Sequence, residues 1–246
     1  MNKMKVIAFN SSPKMDKGNT ARILEPLLEG MKEQGANVEL YYPAKMKIKP
    51  CQGELHCWLK HPGRCFQKDD MNDLYPKLHA SDIMVFATPV YVDGASGLMK
   101  MLMDRMVPLV EPFIELRDGH CRHTVRSGHK PHGKVVLVST CGFWEMDNFD
   151  PLVVHVKAAC KNMAREFAGA LLRPHGAAMR IMLEMGMPID DVLDAAREAG
   201  RQLVGAGAIS AETLATISRE LMPLETYVAG ANQFFQAEIE RNRSVK

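Results

Sequence analysis

Residues 10–20 read NSSPKMDKGNT and join an apolar run, Val6–Phe9, to a helical pattern that begins near Thr20. A strand that runs through a small-residue loop into a helix presents free backbone N–H groups at the positive end of the helix dipole, where proteins bind anions. The stretch therefore predicts a phosphate site. The alternative is an ordinary strand-to-helix loop in which Asn19 or Thr20 caps the helix.

Apolar runs and helical periodicities alternate along the first 175 residues. Strands are predicted at Val6–Phe9, 38–42, Asp82–Ala87, Val135–Val138 and 170–172. Helices are predicted at Thr20–Gln34, at Leu98–Met106 and from Asp150 to about Phe167. This alternation predicts an α/β fold with a doubly wound parallel sheet, whose ligands bind at the carboxyl ends of the strands.

Beyond residue 175 the pattern is helical, with segments predicted at Asp190–Val204, Ser210–Leu221 and Leu224–Arg241. We expect a single domain over residues 1–246, with a core at 3–175 and a helical C-terminal extension at 176–246. The apolar face of the extension either covers the sheet or pairs with a second subunit. We favour partial use in the interface of a homodimer or homotetramer.

Composition narrows the class of protein. With 46% apolar and 24% charged residues among 246, the chain has the composition of a soluble globular protein. No apolar run approaches the roughly 20 residues that a membrane span needs. The first strand starts almost at once and leaves no room for a signal peptide, so we expect a cytoplasmic protein. A net charge of +2 is too small to indicate binding to nucleic acid or to an acidic membrane surface.

Two further loops are expected at the carboxyl ends of neighbouring strands. They are Thr88–Gly94 and Thr140–Glu145, and each combines aromatic residues with a glycine. A phosphate loop beside two such loops suits a phosphorylated planar cofactor, and flavin mononucleotide (FMN) matches that description. A dinucleotide fold is disfavoured because no Gly-x-Gly-x-x-Gly follows the first strand, and the Gly-Lys-Ser/Thr of a P-loop is absent as well.

Three motifs carry a family resemblance: PKMDKGNT at 13–20, PGRCFQKDDM at 62–71 and TPVYVDGASGLMKMLMDR at 88–105. Together they resemble the flavodoxin-like NAD(P)H-dependent FMN reductase family, and within it the branch related to iron–sulfur flavoproteins. The resemblance covers roughly residues 3–175. It implies a five-stranded flavodoxin-like sheet of order 2-1-3-4-5, tightly bound FMN and NAD(P)H as the electron donor.

The resemblance also assigns cofactor-binding residues. It implies that the phosphate is held by Ser11, Ser12, Lys14, Gly18, Asn19 and Thr20. It implies that the isoalloxazine ring is bordered by Pro89, Val90, Tyr91, Gly94, Cys141, Gly142 and Phe143. The residues of the third loop themselves indicate that its two adjacent aromatics, Phe143 and Trp144, stack on or wall in a planar ring. Because the flavin itself carries the hydride, we nominate no catalytic acid or base.

The implied function is an oxidoreductase that passes electrons from a nicotinamide through FMN to a quinone, a flavin, another small-molecule acceptor or a redox protein. The alternative is an iron–sulfur flavoprotein-type electron carrier with no small-molecule substrate of its own. A shuttle flavodoxin would be strongly acidic, which this chain is not. A third reading, a module that has lost its cofactor, is disfavoured by the intact loops.

The cysteine cluster departs from the family pattern. The iron–sulfur branch resembles Cys-x-x-Cys-x-x-Cys with a fourth cysteine further on, whereas here Glu54 stands between Cys51 and Cys57, and Cys65 follows. A cubane cluster takes four thiolates, so we expect no iron–sulfur cluster and no metal. Two alternatives remain for these cysteines. Either Cys57 and Cys65 form a redox pair, or all three are unreactive thiols in an insertion whose Trp58 and Phe66 pack over the flavin.

Residues 117–134 form a basic, histidine-rich segment that contains His120, His123, His129 and His132. A metal site is conceivable, but the spacing is loose and few carboxylates accompany it. We favour a solvated basic loop that contacts the phosphates of NAD(P)H or an acidic partner.

Overall fold

The computed structural model describes residues 3–127 and 133–243. Its strands are β1 (Lys5–Asn10), β2 (Asn37–Tyr41), β3 (Ile83–Tyr91), β4 (Gly94–Ala95), β5 (Val110–Arg117), β6 (His120–Val125), β7 (Lys134–Thr140) and β8 (Glu166–Arg173). Its helices are α1 (Asn19–Glu33), α2 (His56–Leu59), α3 (Met71–Ala80), α4 (Gly97–Asp104), α5 (Asp150–Asn162), α6 (Gly176–Glu184), α7 (Asp190–Gly205), α8 (Ala211–Ser218) and α9 (Leu224–Arg243). Within these ranges, no helix has the length and apolar character needed to cross a membrane.

Five parallel strands form the main sheet in the order β2-β1-β3-β7-β8, and the short β4 pairs antiparallel to β3. Counted among the parallel strands alone, this is the predicted order 2-1-3-4-5, so the flavodoxin-like fold is confirmed. The register places Asn10 beside Ala87, and Pro89 beside Thr140. The loops that follow β1, β3 and β7 therefore emerge side by side at one edge of the sheet.

Side chains alternate across the strands, and each face of the sheet has its own apolar core. Val6, Ala8 and Val85 face a cluster that includes residues of α1, α6, α7 and α8. Ile7 and Phe9 face a second cluster, to which α3, α4 and α5 contribute. Helices on both faces make the sheet doubly wound, as predicted.

The C-terminal extension packs mainly onto the core. Helix α7 crosses α1 so closely that a Cβ added to Gly30 would lie 1.9 Å from the carbonyl oxygen of Arg197, and one added to Gly200 would lie 2.1 Å from that of Leu27. Arg197 also pairs with Glu29 at 2.6 Å. Helices α6 to α8 therefore cover the sheet, whereas α9 buries no residue.

Three predicted elements differ in the structure, and the first is the helix predicted to reach Phe167. Helix α5 ends at Asn162, because Ala164 adopts a left-handed conformation (φ +50°) and turns the chain. Phe167 instead lies in β8, where it pairs with Val135.

The segment Thr88–Gly94 was predicted to be a loop, and this prediction was wrong for its first half. Strand β3 continues to Tyr91, and its pairing with β7 extends to Pro89. The turn is confined to Val92 and Asp93, after which Gly94 pairs back with Tyr91.

The basic segment was predicted to be a loop, but most of it is ordered as a β-hairpin. Strands β5 and β6 pair antiparallel around Asp118 and Gly119, which have φ +53° and +74°. Asp-Gly favours a two-residue hairpin turn because both positions need positive φ, so the signal was present in the sequence. His129 and His132 lie outside the described residues.

Candidate functional site

The loop between β1 and α1 presents free backbone donors. Helix α1 begins at Asn19 with Gly18 as the N-cap, and no side chain caps it, so the reading with Asn19 or Thr20 as the cap was wrong. In the described part of the chain, the backbone N–H groups of Asn19 and Thr20 have no hydrogen-bond acceptor. A Cβ at Gly18 would lie 2.5 Å from Ser12 Oγ, so the loop closes tightly over this glycine.

Side chains of the same loop divide into two roles. The hydroxyl of Ser11 is buried, donates to the carbonyl of Ala87 at 3.1 Å and meets Ser96 Oγ at 2.8 Å, so it fixes the loop from below. Ser12 Oγ accepts the backbone N–H of Lys14 at 3.3 Å, and Lys14 itself is exposed. Lys14 is thus the exposed side chain of this group, whereas Ser12 is buried and shapes the loop.

Buried hydroxyl groups tie the three loops together. The hydrogen-bonded pairs are Ser11 with Ser96 (2.8 Å), Thr20 with Thr140 (3.0 Å) and Ser139 with the carbonyl of Thr88 (2.7 Å). Each pair joins two different loops or the strand ends that carry them. The resulting arrangement is rigid, and a ligand that spans the loops meets a preformed surface.

The second loop ends in a strained turn. Val92 and Asp93 both have positive φ, +48° and +58°, a conformation that a β-branched residue rarely adopts. The Val92 side chain is 99% exposed, and Tyr91 beside it is 49% exposed. Backbone strain of this kind concentrates at ligand-binding positions, where the surrounding structure maintains it.

The third loop offers one exposed aromatic side chain. Phe143 is 66% exposed, whereas Cys141 is buried and its Sγ accepts the N–H of Phe143 at 3.3 Å. Burial raises the pKa of the Cys141 thiol, so it stays protonated and uncharged at neutral pH. Gly142 is open to solvent, with no atom within 4 Å of a built Cβ.

Trp144, the second aromatic residue of the third loop, is held by the C-terminal segment. Its ring stacks on His175 at 6.0 Å, and its Nε1 donates to the carbonyl of Met222 at 3.0 Å. Tyr227 packs on His175 as well and donates its hydroxyl to the carbonyl of Gly142. Sequence reasoning missed His175 and Tyr227, because both lie in segments that gave only a helical periodicity or none.

His175 is a buried, neutral hydrogen-bond acceptor. Its Nε2 accepts the backbone N–H of Leu221 at 3.1 Å and lies 3.1 Å from a guanidinium nitrogen of Arg173. Burial, and then the charge of Arg173, lower the pKa of His175 to about 4. The backbone N–H of His175 donates to the carbonyl of Phe143 at 2.7 Å, so this residue joins the third loop to the C-terminal segment.

The three cysteines of the insertion line a separate cavity of about 130 Å³, together with Glu54. Burial, and then the neighbouring Cys65 and Glu54, raise the pKa of the Cys57 thiol to about 11. Three thiols do not fit a cluster that takes four thiolates. Among the residues that the structure describes, no three or more metal-ligating side chains are grouped to hold an ion.

Trp58 faces the hairpin instead of the three loops. Its Nε1 donates to the carbonyls of Val107 (3.3 Å) and Val110 (2.9 Å), and its ring contacts His123 at 4.6 Å. Phe66 contacts His56 edge-on. The prediction that Trp58 packs over the flavin therefore finds no support in its contacts.

Curated proteins match less than half of this chain. An iron–sulfur flavoprotein of Methanocaldococcus jannaschii is 36% identical over 106 residues, which cover 43% of this chain and 53% of that protein. A putative NAD(P)H-dependent FMN-containing oxidoreductase of Bacillus subtilis is 30% identical over 104 residues, or 42% of this chain and 51% of that protein. The chain thus spans about half the length of the curated relatives it matches.

The fold recurs in a solved structure, an FMN-dependent NADH-azoreductase from Bacillus anthracis in complex with FMN. Its TM-score is 0.57 at 13% identity, and the match covers 83% of this chain and 99% of that one. The family model for NADPH-dependent FMN reductases matches residues 4–148, which include β1, α1 and all three loops. The chain therefore belongs to the NADPH-dependent FMN reductase family.

Proposed function

We propose that this protein is an FMN-binding NAD(P)H-dependent oxidoreductase that passes electrons to a quinone, a flavin or another small-molecule acceptor. The observation that carries the proposal is the pair of free N–H groups at Asn19 and Thr20, next to two loops with exposed aromatic residues. An anion site and a planar, apolar surface on one rigid frame match the two ends of FMN.

The residues of the first loop suit the phosphate. The N–H groups of Asn19 and Thr20 donate to its oxygens at the positive end of α1, and the exposed ammonium of Lys14 compensates its charge. Ser12 shapes the loop around Gly18 and offers its hydroxyl. Ser11 supports the loop through Ser96, so we assign it a structural part in the phosphate site.

The second and third loops suit the ring. Pro89, Val90 and Gly94 supply backbone at its edge, while Tyr91 and Phe143 supply exposed aromatic faces. Cys141 and Gly142 close the remaining side with an uncharged thiol and an open backbone. When bound, FMN accepts a hydride from the nicotinamide and passes on two electrons, and the protein positions it.

We propose an acceptor of planar shape. Val92, which is not assigned to the ring, is 99% exposed at the turn beside Tyr91, so the surface next to the ring site is open. The azoreductase of Bacillus anthracis and the FMN-containing oxidoreductase of Bacillus subtilis are named for related chemistry. We further propose a cytoplasmic homodimer or homotetramer.

The second candidate is an electron carrier of the iron–sulfur flavoprotein type. The name of the Methanocaldococcus jannaschii relative favours it, as does the convergence of Cys51, Cys57 and Cys65 on one cavity. Glu54, which stands where the iron–sulfur pattern has a cysteine, disfavours it. We therefore rank the enzyme first.

The test is the visible absorbance spectrum of anaerobically purified protein, before and after NADPH is added, with iron assayed in parallel. An iron-free flavin spectrum that bleaches promptly is the expected result. Stoichiometric iron with slow bleaching would show that the protein is the electron carrier and not the enzyme. A colourless protein that fails to take up added FMN would overturn both candidates.

A further inference from the structure

A second cavity lies at the opposite end of α5 from the three loops. It has a volume of about 430 Å³ and is enclosed by the ends of α4 and α5, by Trp58 and by the hairpin β5–β6. Helix α5 begins after the third loop, and the cavity residues Ala159 and Met163 lie at its far end, about 15–20 Å further along the helix axis. The cavity is therefore distinct from the proposed flavin site.

The lining is apolar and contains one large aromatic face. Met103, Met106, Val110, Ala159 and Met163 line the cavity together with Trp58. The Trp58 ring is fixed by its two hydrogen bonds to backbone carbonyls, so it forms a rigid wall. Thioether side chains adapt to the shape of a ligand and contact aromatic rings favourably. Volumes of a few hundred Å³ with such linings are typical of small-molecule sites.

Two polar side chains in the cavity lining determine which ligand groups it can bind. His123 lines it, and its Nδ1 is buried with no hydrogen-bond partner among the described residues. A buried, unpaired nitrogen is costly, so a ligand that pairs with it gains affinity. Arg122 lines the cavity too, and its guanidinium donates to the neutral amide oxygen of Asn162 at 2.9 Å. Its positive charge is not neutralised by that contact.

We propose that this cavity is a second ligand site, which binds a small planar aromatic molecule that carries an anionic group. The aromatic body lies against Trp58 and the methionines, the anion pairs with Arg122, and a polar substituent pairs with His123. The site goes beyond the proposed flavin chemistry and does not depend on it. No electron transfer is assigned to the molecule bound here.

The probe for this site is 2-naphthoate, which has a flat apolar body and a single carboxylate. It is titrated calorimetrically into the full-length protein, with and without saturating FMN. The expected result is one saturable site per chain, with the same affinity in both titrations. Loss of naphthoate binding when FMN is added would assign the probe to the flavin loops and overturn the proposal.

A matched pair of substitutions on α5 locates the bound probe. Ala159→Phe fills the cavity and is expected to weaken binding at least tenfold, whereas Ala158→Phe adds the same side chain at the exposed neighbouring position and leaves binding unchanged. Arg122→Gln, which leaves the core intact, is expected to weaken 2-naphthoate several-fold and to leave the neutral 2-naphthalenemethanol unaffected.

These variants decide the outcome even if Ala159→Phe does not fold, because Arg122→Gln alters only a partly exposed side chain. Equal affinity of wild type and Arg122→Gln for naphthoate would contradict the assigned charge pairing. Absence of saturable binding to the wild type, or equal binding to both phenylalanine variants, would rule out the cavity as the site.

Discussion

Gly18 is the residue at which the proposed phosphate site has least room. Its φ of −82° is accessible to any residue, so glycine is needed here for the lack of room for a side chain and not for its backbone conformation. A methyl group there would lie 2.5 Å from Ser12 Oγ and 3.3 Å from the carbonyl oxygen of Met15. One of these atoms must move, and both belong to the loop that surrounds the free N–H groups.

Gly18→Ala is therefore expected to weaken FMN binding about five- to 150-fold, since overpacking of this kind costs roughly 1–3 kcal/mol. The dissociation constant is measured by the quenching of flavin fluorescence. Gly230→Ala is the control, because that glycine lies in α9 and a Cβ there meets no atom within 4 Å. Equal affinity in the two variants would show that the loop does not hold the phosphate.

His175 makes stability depend on pH. Its pKa in the folded protein is about 4, against an ordinary value of 6.5, so the unfolded chain binds the proton more readily between these values. Stability is then unaffected above about pH 6.5 and falls as the pH decreases towards 4, by up to about 3 kcal/mol.

We expect His175→Gln to remove this component, because an amide oxygen accepts the Leu221 N–H without titrating. Urea unfolding of both proteins at several pH values between 7 and 4.5 gives the comparison. The difference in the free energy of unfolding, wild type minus variant, should fall as the pH is lowered. Parallel pH profiles would mean that His175 titrates normally in the folded state.

Sequence reasoning located the residues of the loops better than their roles. The position of Gly18 and the N–H groups beside it follow from a strand, a small-residue loop and a helix start, all of which are local patterns. The supporting role of Ser11 does not follow from local patterns, because its hydrogen-bond partner Ser96 is 85 positions away. The contacts of Trp144 do not follow from the local sequence either, because its hydrogen-bond partner Met222 lies in a distant segment.

At the scale of elements, the contact between α1 and α7 is closer than side chains usually allow. Gly30 and Gly200 let the two backbones meet, with a built Cβ only 1.9–2.1 Å from carbonyl oxygens. Neither glycine was singled out in the sequence. A glycine within a helical pattern is nevertheless a signal of close packing or function, because it costs helix stability.

Gly200→Ala is expected to lower the free energy of unfolding by more than about 2 kcal/mol, since rigid backbone atoms must separate. Gly230→Ala, in an exposed helix, should leave stability unchanged or raise it by up to about 1 kcal/mol. Urea titration followed by circular dichroism measures both. We propose that core and extension form one domain, so a single transition is expected, and two separate transitions would contradict that proposal.

The third loop and α9 form another inter-element contact with a measurable consequence. Tyr227→Phe removes the hydroxyl that donates to the Gly142 carbonyl, and we expect FMN affinity to fall about three- to tenfold. Tyr41→Phe removes a hydroxyl at the sheet edge, where its partners are Glu39 and Lys77, and should leave affinity unchanged. A normal affinity in Tyr227→Phe would show that α9 does not position the loop.

Two of the three errors in predicted elements share a physical origin. Helix α5 ends at Asn162 although helical spacing continues to Phe167, because the chain turns at Ala164 to pair β8 with β7. Strand β3 likewise continues through Pro89 because β7 pairs with it. Pairing between distant strands fixed both boundaries, and periodicity in one segment does not report it. The sheet order was predictable because it rests on the order of whole elements.

At the scale of the whole molecule, α9 has two different faces. Tyr227 and Ala231 lie partly buried towards the body, while Val228, Phe235 and Ile239 form an apolar stripe on the adjacent face of the helix, 47–62% exposed. In an antiparallel pair with a second copy, Val228 would oppose the partner's Ile239. The stripe is thus the part of the extension that suits the proposed subunit interface.

Phe235→Lys combined with Ile239→Lys is therefore expected to convert the oligomer into monomers, because burial of two charges opposes association more strongly than two apolar side chains favour it. Sedimentation velocity measures the change, and FMN stoichiometry should stay at one per chain because Tyr227 is untouched. Val154→Lys, on the exposed side of α5, is the matched control and should leave the oligomer intact. If the double variant sediments like the wild type, the extension serves the fold and the third loop, and the subunits meet elsewhere.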